Sequence, residues 1–83
     1  DNLSILNNLA WVEYLLENYD SANLYVTDAL KLNPEHPHIM DTAAQIQLKL
    51  GNKQKAIELI SAAKNLAPNN QVISQHYKEI TGQ

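Results

Sequence analysis

Few residues in this chain have types and spacings that could do chemistry. His36 and His38 flank Pro37, and two imidazoles so close could begin a metal site. No third ligand stands near them, so the run reads as two solvent-facing turn residues at a helix entrance. Ser74 and His76 are two apart, which points them in different directions on a helix. No glycine-rich phosphate loop or nucleophile turn occurs. The chain therefore reads as non-catalytic, with no cofactor and no metal. Lys53, Lys55, Lys64 and Lys78 do not alternate with aromatics, which argues against a nucleic-acid surface. Trp11 and Tyr14, one helical turn apart, are the exception. Together they offer rigid aromatic area of the kind that anchors peptide interfaces. The competing reading is that they cover a helix junction.

Composition narrows the field further. The chain of 83 residues has room for a single domain, 1–83, with a modest core. Without cysteine it has no disulfide framework and no thiolate metal site, and the redox compartment stays open. No run approaches the ~20 apolar residues of a membrane helix, and no signal peptide opens the chain. Position 1 is Asp rather than Met, so the sequence reads as a piece of a longer protein. The net charge of −3 is unevenly spread. Residues 1–36 hold six acids and one lysine (−5), whereas residues 37–83 hold five lysines and three acids (+2). With no arginine and an acidic total, a surface that tracks phosphates is not expected.

What must position these residues is a repeat of 34 residues. Shifted by that length, Ile5 falls on Ile39, Ala10 on Ala44, Leu16 on Leu50 and Asn18 on Asn52. Ala22 falls on Ala56, Ala29 on Ala63, Leu32 on Leu66 and Pro34 on Pro68, and a further shift brings Ile39 onto Ile73. Each unit divides into two helices. Ile5, Leu6, Leu9, Ala10, Val12 and Leu16 recur at three- and four-residue spacing, which predicts a helix over 3–16 with Asn2 as its N-cap. Glu17-Asn18 is the turn, with Asn18 taken as the left-handed residue, and Gly51-Asn52 is its stronger counterpart. Helices follow over 19–32, 37–50 and 53–66. Pro34 and Pro68 close the two units, and Pro37 suits a first helical turn. Asn70 caps a last helix over 71–81.

The stripe Ile5/Val12 recurs as Ile39/Ile46 and Ile73/Ile80. The opposite face carries Leu9-Ala10, then Ala43-Ala44, but finally Tyr77-Lys78. The last helix thus keeps the stripe that packs backward and loses the small pair that would accept a successor, which makes it a polar-faced cap. No such cap covers Ile5 and Val12. Two and a half repeats fall short of the roughly three that stand comfortably alone, so self-association through that edge is expected.

Helix pairs of this length, with Ala10 and Ala44 in the first helices, Ala22, Ala29, Ala56 and Ala63 in the second, and Pro34 and Pro68 at the close, resemble tetratricopeptide repeats. Tyr19 and Gly51 fit the same pattern. The resemblance implies an all-α fold: repeat one at 3–36, repeat two at 37–70 and a capping helix at 71–81, stacked as a right-handed α-solenoid fragment. Leu6 and Met40 replace the usual tryptophan. Glu13 and Gln47 are polar where a large apolar residue is usual, which bears on packing between the paired helices or shifts that contact to Tyr14 and Leu48. LNNLAW (6–11) with HIMDTAA (38–44) is also similar to terminal repeats of large bacterial members, some of which accompany exopolysaccharide export and envelope protein sorting. Cytoplasm and periplasm both remain open.

In this family the first helices line a concave groove that holds a protein or peptide partner. Carried over, the groove residues are Ser4, Asn7, Trp11, Tyr14 and Leu15, then His38, Asp41, Gln45, Leu48 and Lys49. Val72, Gln75, Lys78 and Glu79 are added by the cap. The lysine and asparagine clamp with which some relatives hold acidic C-termini is absent, because Asn7, Asp41, Trp11 and Gln45 occupy its positions, and Asp41 would repel such a ligand. Two functions follow. One is a peptide-binding module anchored by Trp11 and Tyr14, with Asp41, Gln45 and Lys49 orienting the ligand. The other is a structural end-cap of a longer array.

Overall fold

The computed structural model describes residues 2–83 and is all-helical among them. Five helices follow in order: α1 (Asn2–Leu15), α2 (Tyr19–Leu32), α3 (Pro37–Lys49), α4 (Lys53–Leu66) and α5 (Gln71–Thr81). The helices pair as α1 with α2 and α3 with α4, and α5 closes against α4. Packing of α2 on α3 joins the pairs, with lighter contacts from α3 to α1 and α5. None is long and apolar enough to cross a membrane.

The core consists of two clusters, and the second is the first moved along by one repeat. Ala10, Ala22, Val26 and Ala29 seat Ile39, Ala43 and Ile46 of the next first helix. Ala44, Ala56, Ile60 and Ala63, with Met40, seat Ile73 and Ile80. The alanines are fully buried, so the helix backbones come close enough for an isoleucine to fill the groove between them. Burial of these side chains is the main source of stability for a domain this small.

The turns inside both repeats share one geometry. Asn18 N–H donates to Glu13 C=O at 2.8 Å and Asn52 N–H to Gln47 C=O at 2.9 Å. Glu17 N–H reaches Tyr14 C=O and Gly51 N–H reaches Leu48 C=O, completing a Schellman closure in each. The left-handed residue is Glu17, at φ 64, and not Asn18, which has φ −89. The reason is register: Glu17 is the residue that aligns with Gly51, at φ 85. Repeat one thus places a side chain where repeat two has glycine, at a cost of about 1–2 kcal/mol.

Helix starts bring two further corrections. Asn2 lies inside α1 rather than capping it, and Asp1 lies outside the described residues. His36 is not a bystander at the turn: it is half-buried, and its Nδ1 accepts from Ile39 N–H at 3.4 Å as the N-cap of α3. Asn70 caps α5 in the same register, accepting from Ile73 N–H at 3.0 Å. Pro37 occupies the first turn of α3, where its missing N–H costs no hydrogen bond. Leu15 and Lys49 end their helices one residue before the expected ends at 16 and 50.

Of the polar departures at Glu13 and Gln47, the second has a physical account. Gln47 is buried and donates from Nε2 to Asn23 Oδ1 at 2.9 Å, while its Oε1 accepts from Asn52 Nδ2 at 2.8 Å. The amide therefore links α2, α3 and the turn before α4, and burial leaves neither of its ends without a partner. Tyr14 packs against the first core and Leu48 against the second.

Candidate functional site

α1, α3 and α5, the first helix of each unit, stand side by side and form a groove of about 260 Å³. Asn7, Asn8 and Trp11 line it from α1, His38, Asp41, Thr42 and Gln45 from α3, and Val72 and His76 from α5. Of the residues expected there, Asn7, Trp11, His38, Asp41, Gln45 and Val72 are brought together. Ser4, Tyr14, Leu15, Leu48 and Lys49, and Gln75, Lys78 and Glu79 of α5, are not part of this lining. Tyr14 instead supports Trp11 from behind, with the rings stacked at 5.0 Å and 10°. Tyr19 meets Tyr14 edge-on at 5.6 Å. The indole is thus held by an aromatic relay from α2, yet remains 43% exposed.

At the base of the groove lies a pair that spans two units. Asp41 is only 4% exposed, and both of its carboxylate oxygens lie within 2.8–2.9 Å of His76 Nδ1. A carboxylate only accepts, so the proton in this contact sits on Nδ1. The pair fastens the cap helix to α3 across the groove floor. Spacing alone could not single it out, because 35 residues separate the partners.

One repeat earlier, the same two positions hold Asn7 and Thr42, and they do not pair. The Thr42 hydroxyl donates back to His38 C=O on its own helix, at 3.2 Å. Asn7 Oδ1 is left buried with no hydrogen-bond partner among the described residues, as is Gln45 Nε2. Buried polar atoms are nearly always paired, and an orphan costs about 1–3 kcal/mol. Two orphans of opposite kind, one acceptor and one donor, therefore belong to residues lining one groove beside an exposed indole.

A second cleft, of about 280 Å³, runs between α2 and α4 and is lined by Asn23, Val26, Leu30, Gln47 and Leu59 among others. Its amides Asn23 and Gln47 already bond to each other, so it carries no comparable unpaired groups. Away from both clefts, Ser74 accepts a hydrogen bond from Lys64 Nζ at 3.0 Å, so it and His76 engage different partners. No cluster of three metal-ligating side chains occurs among the described residues.

The family model for the tetratricopeptide repeat matches residues 14–75, most of the chain. The chain belongs to the tetratricopeptide repeat family. No curated protein gives a match. Membership fits the two in-phase helix pairs and makes this a protein–protein interaction module of a generally non-catalytic class.

Proposed function

We propose that the α1–α3–α5 groove binds an extended segment or helix of a partner protein. The observation that carries this reading is the pair of unpartnered amide atoms, Asn7 Oδ1 and Gln45 Nε2, on residues that line the groove beside Trp11. One acceptor and one donor match the N–H and C=O that a peptide backbone offers, and the exposed indole supplies an apolar anchor. Asp41 and Gln45 orient the ligand, with Lys49 at the exposed end of α3. Tyr14 acts by holding Trp11.

The test is affinity capture with wild type beside Trp11→Ala/Gln45→Ala, with thermal melts compared and each captured partner purified and titrated. Tyr14 is left intact because it packs against the first core. A partner whose affinity falls at least tenfold, with the melt unchanged, supports the groove. Partners bound equally by both forms would remove it.

A second reading, that this piece terminates a longer array, draws on a different observation. Ile5 and Val12 are 55% and 50% exposed on α1, whereas α5 turns Gln75, Lys78 and Glu79 outward. In that reading the α1 stripe seats on another helix pair or, when isolated, on a second copy. Sedimentation velocity that stays monomeric up to high concentration would count against the second copy.

A further inference from the structure

We infer that the groove takes a basic side chain from the bound segment, an arginine guanidinium by preference; this rests on the groove reading above. Asp41 is the first reason. Its carboxylate is buried at the groove floor, and its one hydrogen-bond partner among the described residues is His76 Nδ1. A carboxylate has roughly four acceptor positions, so a single N–H leaves most of that capacity unused. The second reason is what surrounds it. Asn7 Oδ1 is an acceptor without a donor, and His76 Nε2 becomes an acceptor when the ring is neutral with its proton on Nδ1.

The third reason is aromatic. Tyr14 covers one face of Trp11, and the ring still lines the groove, so a planar cation can pack against the indole while reaching the carboxylate. No lysine lines the groove to compete for Asp41, and residues 1–36 carry a net −5. An acidic ligand would meet that carboxylate as a like charge, and an apolar one would leave its spare acceptor positions and Asn7 Oδ1 unused. The orphan donor, Gln45 Nε2, suits a backbone carbonyl of the same segment. Both orphan atoms are shielded from solvent, so a ligand engages them only if Asn7 and Gln45 turn toward the groove.

The experiment titrates the ¹⁵N-labelled domain with blocked Gly-Arg-Gly, Gly-Lys-Gly, Gly-Leu-Gly and Gly-Glu-Gly, following backbone, indole and imidazole resonances. Expected are shifts at Trp11, Asn7, Gln45 and His76 with the arginine peptide. It should bind about fivefold more tightly than the leucine peptide, with lysine between them and glutamate weakest. Asp41→Asn should erase the preference for arginine. In wild type, added salt should weaken the arginine peptide and leave the leucine peptide unchanged, an arm that does not depend on the variant folding. If the leucine or glutamate peptide moves the same resonances as strongly, the preference for a cation is overturned while the groove stands. If no peptide moves them, both readings fall.

Discussion

The two ends of the helix stack carry the same apolar stripe in opposite states. On α5, Ile73 and Ile80 are 2% and 3% exposed, seated on Ala44, Ala56 and Ala63. On α1, Ile5 and Val12 are at least half exposed, and Leu9 stands exposed between them. What differs is the platform beneath. Nothing in the helix itself buries the stripe; the preceding pair of alanine-bearing helices does, as the equivalent seating of Ile39 and Ile46 on α1 and α2 demonstrates. The stack therefore has a direction, with a sealed polar end and an open apolar one.

The sharpest break of that comparison is a matched pair of truncations. Ile73→Ala should cost about 3 kcal/mol by opening a cavity, against under about 1 kcal/mol for Ile5→Ala. In a domain this size the first should lower Tm by more than about 10 °C. Equal losses in thermal melts would mean that the α1 stripe is covered in solution, and sedimentation would then identify a second copy. Next in size is Gln47→Leu, which leaves Asn23 and Asn52 without their partner and should cost about 1–2 kcal/mol in chemical denaturation.

The turns give a smaller effect of opposite signs. Gly51→Ala should destabilise by about 1 kcal/mol through its backbone angle alone, since an added Cβ would meet nothing within 4 Å. Glu17→Gly should stabilise by up to about 1 kcal/mol, because the same left-handed angle is strained there. Denaturant midpoints moving in the same direction would contradict the shared geometry. The smallest contrast is between caps. Asn70→Ala should cost about 1 kcal/mol, and His36→Ala less, because its 3.4 Å bond is the longer one.

The sequence made the architecture legible because each repeat reports the same packing problem twice. Ala10/Ala44, Ala22/Ala56 and Ala29/Ala63 mark the close approaches, and the prolines mark the ends. What it obscured were features that depend on which of two aligned positions meets which neighbour. Alignment of Glu17 with Gly51 held the information for the left-handed turn, but asparagine's tolerance of that conformation drew the expectation to Asn18. The register of His36 with Asn70 likewise held the cap, though imidazole is an uncommon one. Asp41–His76 and Gln47–Asn23 lay beyond local pattern, since each joins separate helices. Of the groove, Asn7, Trp11, His38, Asp41, Gln45 and Val72 were legible through the family's spacing. Tyr14 is drawn beneath Trp11 by stacking and by the first core, and Leu48 is drawn inward by the second.

α1 thus bears two candidate contact surfaces, the groove around Asn7 and Trp11 and the edge at Ile5 and Val12. Chemical-shift mapping of a purified partner segment on the labelled domain separates them most directly. The largest changes should fall on Asn7, Trp11, Asp41, Gln45 and His76, spanning α1, α3 and α5. Changes confined to Ile5, Leu9 and Val12, with the groove silent, would contradict this and leave α1 as a stacking edge.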